Sequence, residues 1–215
     1  MKQILQLFTV FLIALTSCHK FEHDNVFDPA SDKYSPPVAP HRVIVVDFEK
    51  DSTRSIWGYR HNEFSKNKGQ IIKTYATEAS VQNKMTRVIR LDYDVSNNDS
   101  SDAGWVQPLC STDDGAFNAK TMGLKSLTFF ARGAAGGEQF LVTMTDENGN
   151  NTEEAPRPVL TNSWKQYRIP LSSLTTLQSG SIDLRKITSF DFTFYKGLGP
   201  SRGTIFVDEF AFEWE

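Results

Sequence analysis

From position 43 onward, polar and apolar residues alternate in short runs separated by Gly, Pro, Asn and Asp, the arrangement of β-strands with one face on a core. The clearest run is near the C-terminus, where Phe190, Phe192 and Phe194 alternate with Ser189, Asp191, Thr193 and Tyr195. It predicts a strand with one aromatic and one polar face. After the turn residues 197–203, Phe206, Phe210, Phe212 and Trp214 resume on one side, and Asp208 falls in that same series. The register therefore predicts an inward-facing Asp208. A lone carboxylate there would cost several kcal/mol unless it were hydrogen-bonded, paired or bound to a cation. Further strands are predicted over residues 43–49, 55–64, 69–75, 86–95, 103–109, 124–132, 138–146 and 163–171, with turn chemistry at 146–151 and room for one helical turn over 171–177. About ten short strands with no long helix predict an all-β fold, an antiparallel β-sandwich.

The first 41 residues follow no such pattern. Lys2, the apolar run from Ile4 to Leu15 and the sequence Leu15-Thr16-Ser17-Cys18 predict a signal peptide over 1–17. The apolar run is short for a membrane span. A Leu and two small residues before Cys resemble the bacterial lipoprotein box, which implies lipidation of Cys18, anchoring the chain to the membrane. An ordinary secretory signal is the alternative. Residues 18–41 carry three Pro-containing breaks and read as the lipidated Cys with an extended tether. The acidic opening at Glu22 and Asp24 resembles the export tags of some surface lipoproteins. The expected location is the outer membrane, with the domain at the cell surface or on the periplasmic face. The β-sandwich domain then spans 42–215. With Cys18 lipidated, Cys110 has no partner for an intrachain disulfide and reads as a small buried apolar residue.

Composition narrows the function. Sixteen Phe, six Tyr and four Trp among 215 residues can fill a core and favour strands. A net charge of −3 with scattered Lys and Arg gives no basic stripe, so no nucleic-acid partner is expected. Gly-x-Ser-x-Gly, His-Glu-x-x-His, a phosphate-binding Gly loop and Cys-x-x-Cys are all missing. Of four His, two lie in the tether and one at its end, leaving His61 alone in the domain, a poor basis for catalysis or zinc.

An ordered set of segments carries a family resemblance: Val-Asp-Phe-Glu at 46–49, Arg-Leu-Asp-Tyr at 90–93, Gly-Trp-Val at 104–106, Lys-Ser-Leu-Thr-Phe-Phe-Ala-Arg-Gly at 125–133, Trp-Lys-Gln-Tyr-Arg-Ile-Pro-Leu at 164–171 and Gly-Thr-Ile-Phe-Val-Asp-Glu-Phe-Ala-Phe at 203–212. This order resembles the galactose-binding-like jelly rolls. Within them it is similar to carbohydrate-binding modules attached to cellulases and to the complex I intermediate-associated protein 30 family.

The resemblance implies a structural Ca²⁺ between the first and last strands, held here by Glu49 and Asp208, with Asp47 on the face of Glu49 as a third candidate. Hard carboxylate oxygens suit that ion, and carbonyls and water complete its shell. A hydrogen-bonded Asp208 without metal is the alternative. The resemblance also implies a concave sheet face where aromatic rings stack on sugars and polar groups bind hydroxyls. Alternation turns Arg90, Asp92, Gln166, Arg168, Asp191, Thr193 and Tyr195 outward, with Trp57 and Tyr59 near an edge. The reading is a monomeric, non-catalytic lipoprotein binding a polysaccharide or oligosaccharide. Two alternatives remain: a jelly-roll enzyme using Asp92 and Asp191 as its carboxylates, and a structural or protein-interaction lipoprotein.

Overall fold

The computed structural model describes residues 42–49, 54–55, 59–79, 85–97, 100–109, 116–152, 156–174 and 182–214. Cys18, Trp57, Cys110 and the signal and tether segments lie outside them. The short alternating runs form β1 (Arg42–Val46), β2 (Asn62–Lys66), β3 (Gln70–Ala79), β4 (Met85–Asp94), β5 (Asp102–Pro108), β6 (Ser126–Gly133), β7 (Leu141–Asp146), β8 (Lys165–Pro170), β9 (Ile187–Tyr195) and β10 (Arg202–Glu213). One 3-10 turn, Leu171–Leu174, takes up part of the predicted helical segment. The strand expected over 55–64 forms only from Asn62; before it, Arg54 and Arg60 make an isolated antiparallel bridge.

The strands pair antiparallel into two sheets. One has the order β3-β4-β10-β6-β8, with β1 also on β10; the other has the order β2-β5-β9-β7. Between them lies an aromatic core. Phe192 of β9 packs against Trp105 of β5, Phe129 of β6 and Phe140, at ring-centroid distances of 5.2, 5.0 and 4.7 Å. Phe190 meets Phe212 at 5.2 Å, and Tyr93 stacks on Phe194 at 4.1 Å. Phe190, Phe192 and Phe194 are all buried, as their alternation predicts.

The register of β10 corrects one expectation. Asp208 pairs with Phe130 but Ala211 pairs with Thr128, so β10 spends three steps where β6 spends two. This is a β-bulge, and Glu209 within it has φ 48°, the left-handed region that L-residues seldom occupy. One extra residue exchanges the two faces. Phe210 and Phe212 point into the core, whereas Phe206 and Asp208 share the outer face of the six-stranded sheet. There Phe206 lies under the Arg132 guanidinium, 3.9 Å from the ring centroid.

Candidate functional site

A sandwich of two sheets has two outer faces directed away from each other, and the sequence-predicted site residues divide between them. Arg90 and Asp92 on β4 and Gln166 and Arg168 on β8 lie on the six-stranded sheet. Asp191 and Tyr195 lie on β9 in the four-stranded sheet. One groove cannot hold all six. For the same reason, Asp92 and Asp191 cannot flank one scissile bond, which removes the carboxylate pair on which the enzyme alternative rested.

The face of the six-stranded sheet is satisfied by its own charges. Arg90 grips Asp92 through Nε and Nη2 at 2.9–3.1 Å, and the Thr204 hydroxyl also donates to Asp92. Arg132 pairs with Glu78 at 2.7 Å, and Arg168 with Glu213 at 3.4 Å. Gln166 is exposed opposite Phe130. With these carboxylates and guanidinium groups engaged, this part of the surface reads as a solvated, ion-paired one.

At the far end of that face, two acids converge. Thr86 donates to Glu49, and the Arg87 amide donates to the same Glu49 oxygen at 2.6 Å; these bonds hold the Glu49 carboxyl below its usual range. Asp208 Oδ2 lies 3.3 Å from the same Thr86 hydroxyl, while its Oδ1 accepts from the Glu209 amide at 2.9 Å. A hydroxyl has one proton and cannot donate to both acids. Burial pushes the Asp208 carboxyl up to about 6. Two carboxylates competing for one proton donor fit a hard divalent cation. Asp47 fits less well, since its Oδ1 accepts from the Glu49 amide within its own turn. Among the described residues no three Asp, Glu, His or Cys side chains come together, so carbonyls, the Thr86 hydroxyl and water would complete the shell.

The outer face of the four-stranded sheet differs. Its register sets three cross-strand rows: Asn62–Val106–Asp191–Thr143, Phe64–Gly104–Thr193–Leu141, and Lys66–Asp102–Tyr195. In the first, Asp191 Oδ2 receives the Thr143 and Thr145 hydroxyls at 3.4 and 3.3 Å, both long for O–H donors. Its Oδ1 is buried and has no donor within hydrogen-bond distance among the described residues. Burial pushes the Asp191 carboxyl up to about 6, against the Ser189, Thr145 and Thr143 hydroxyls that pull it down. In the third row, Asp102 pairs loosely with Lys66 at 3.7 Å, and its Oδ1 is also buried without a partner. Tyr195 is half-buried against Leu141 and Leu198, leaving part of its ring at the surface. Tyr59 is half-buried just before β2, its carbonyl accepting from the Ser55 amide and from Gln107 Nε2. His61 is 1% exposed and receives the Trp105 indole N–H at Nδ1 (2.9 Å), so it is a core residue.

Sequence reasoning missed Asp102, Thr143 and Phe64 on this face. Asp102 and Thr143 alternate correctly along their strands, but only pairing with β9 gives them significance. Phe64 sits in Asn-Glu-Phe-Ser-Lys, where every neighbour is polar and no stripe marks it.

The two sheets and their order define a jelly-roll sandwich, the fold found in solved carbohydrate-binding modules. The family 11 carbohydrate-binding module of the cellulosomal cellulase Lic26A-Cel5E of Clostridium thermocellum superposes with TM-score 0.59 at 20% identity, over 82% of this chain and 96% of that one. A family 30 carbohydrate-binding module gives 0.53 at 17% identity, over 71% and 91%. An exo-beta-agarase gives 0.57 at 14% identity, over 82% of this chain but 26% of the agarase. A comparison with curated proteins finds no match. The family model of carbohydrate binding domain 30 matches residues 45–213. The chain belongs to that family, and its class of activity is carbohydrate binding.

Proposed function

We propose that this protein is a non-catalytic polysaccharide-binding lipoprotein that takes its ligand on the outer face of the four-stranded sheet, around Asp191. The observation that carries this reading is Asp191, whose Oδ2 is met only by two long hydroxyl contacts and whose buried Oδ1 has no donor within hydrogen-bond distance among the described residues. A carboxylate oxygen withheld from water is costly unless a partner arrives. A turn of the side chain that brought this oxygen to the surface would let sugar hydroxyls be such partners, with Thr143 and Thr145 beside it as further donors and acceptors. On the six-stranded face Asp92, Glu78 and Glu213 already have guanidinium partners, and the two acids there without one, Glu49 and Asp208, converge at its far end as the candidate cation site. The structural relatives, a module of a cellulase and part of an agarase, support a polysaccharide as the ligand class.

In this reading Cys18 carries the lipid and the tether holds the domain away from an outer membrane. Glu49 and Asp208 hold Ca²⁺ near the start and end of the domain, where the ion would neutralise two acids and fix their strands; it plays no part in binding chemistry. The ligand site is tested by calorimetric titration of soluble β-glucans and agar-derived oligosaccharides into wild type, Asp191→Ala and Arg90→Ala. Loss of about tenfold or more on Asp191→Ala, with Arg90→Ala near wild type, is the expected result. The reverse pattern would move the site to the six-stranded sheet, and failure of wild type to bind any of these glycans would refute the reading.

A further inference from the structure

Asp191 has no neutralising partner in the folded chain. Burial pushes its carboxyl up, only hydroxyls pull it down, and no Lys or Arg charge acts on it. Its Oδ1 is shut away from water with no donor in reach among the described residues. A carboxylate held in this way is costly unless a proton or a cation joins it. The oxygens around it form a set. Thr143 and Thr145 of β7 and Ser189 and Asp191 of β9 alternate with the core residues Met144 and Phe190, so all four face outward. The register pairs Thr143 with Asp191 and Thr145 with Ser189, which puts four oxygen-bearing side chains at the corners of a small rectangle.

The spacing of these oxygens suits a bound ion better than hydrogen bonds. Asp191 Oδ2 lies between the two threonine hydroxyls, 3.4 Å from Thr143 Oγ1 and 3.3 Å from Thr145 Oγ1. An O–H donor settles at about 2.5–3.0 Å from its acceptor. Calcium holds oxygens at about 2.3–2.6 Å, and sodium, nearly its equal in radius, does the same; two ligands at right angles are then about 3.3–3.7 Å apart. Charge chooses between the two ions. The rectangle holds one carboxylate and three neutral hydroxyls, and among the described residues no three Asp, Glu, His or Cys side chains gather anywhere. A divalent ion there would keep an uncompensated positive charge away from water, whereas a monovalent ion is neutralised by Asp191 alone. Potassium is larger and would force the same ligands further apart.

We infer that Asp191, Thr143, Thr145 and Ser189 form a sodium site that ties β7 to β9 and neutralises Asp191 while no glycan is bound. The site stands on these four side chains alone. It has one consequence that rests on the carbohydrate-binding reading of this face: a sugar hydroxyl that reaches Asp191 displaces the ion, so sodium competes with the glycan and sets its apparent affinity.

The test melts the full-length protein at pH 7 in sodium, potassium and choline chloride of equal ionic strength, with a sodium-free chelator present so that the candidate calcium site at Glu49 and Asp208 does not contribute. Asp191→Asn and Thr145→Val are melted alongside; the second keeps the carboxylate and removes one hydroxyl with little change of shape. The expected melting temperature of wild type is higher in sodium than in either other salt by about 3 °C or more, because the ion binds only the folded chain. Asp191→Asn should abolish that difference and Thr145→Val should reduce it. Equal wild-type melts in the three salts would leave a proton or a water beside Asp191 and overturn the site. Potassium matching sodium would overturn the assigned ion, and a sodium effect that survives Asp191→Asn would overturn the assigned residues. Titration of soluble β-glucans in the sodium and choline salts tests the competition, with affinity expected to be about threefold or more lower in sodium. Equal affinities beside a sodium-dependent melt would overturn the competition. Absence of glycan binding in both salts would remove the carbohydrate reading and leave the ion site standing.

Discussion

Asp191 concentrates the conflict between stability and function in one side chain. Burial raises its carboxyl from 3.8 to about 6 in the folded protein. A raised value means that the native state holds the proton more tightly than the unfolded chain. The stabilisation this gives is fully present below pH 3.8 and is lost as pH rises through about 6. At pH 7 the ionised, poorly solvated carboxylate therefore costs up to ~3 kcal/mol. Asp191→Asn should raise stability by as much as that at pH 7 and change it little near pH 4, as read by denaturant melts at the two values. Glycan hydroxyls would favour the ionised form, so wild-type binding should weaken as pH falls through about 6, while the Asn variant binds weakly with no pH dependence over that range. Equal stability of both proteins at pH 7 would show that Asp191 is not desolvated. The outward direction of Asp191 was legible from the Phe190, Phe192, Phe194 alternation. Its missing donor was not, because that depends on which hydroxyls β7 brings alongside.

The bulge of β10 shows where reading by alternation stops. A period of two assigns each residue to a face only while the pairing stays in step, and the extra residue at Glu209 breaks the step between Asp208 and Ala211. The ten strands were readable from the sequence; the side taken by Phe206 and Asp208 was not. The same bulge brings Asp208 toward the turn after β1, where it shares Thr86 with Glu49. Arg42 of β1 reaches across to Glu209, at 3.1 Å, and to Glu213, at 3.6 Å, so β1 and β10 are already joined by ion pairs. If Ca²⁺ neutralises Glu49 and Asp208, an ion that binds only the native state adds to that junction by mass action. A chelator should then lower the melting temperature of wild type by several degrees, and Asp208→Ala should melt at the lower temperature with or without chelator. A wild-type melt indifferent to both chelator and added calcium would leave Asp208 as a hydrogen-bonded acid.

At the scale of the whole molecule, strand order decides which residues can act together. The polar residues of β4, β8 and β9 look equivalent in sequence, yet the order β3-β4-β10-β6-β8 against β2-β5-β9-β7 sends Arg90, Asp92, Gln166 and Arg168 to one side of the core and Asp191 and Tyr195 to the other. Which strands become neighbours is fixed by long-range pairing, which no local pattern records. That is why the sequence pointed to the fold and the kind of ligand but assembled its site from residues that the fold divides between two opposite faces. Tethering belongs to this scale as well: Cys18→Ala should release the protein from membranes into the soluble fraction, and mass spectrometry that finds an unmodified Cys18 in the mature chain would end the lipoprotein reading. The central claim is that the four-stranded face is the ligand face. Its most direct test is a map of backbone amide shifts on adding cellohexaose to the labelled protein. Shifts confined to Phe64, the Asp102–Val106 stretch, Thr143, Asp191 and Thr193 are the predicted result, whereas shifts centred on Arg90, Gln166 and Arg168, with the four-stranded sheet silent, would contradict it.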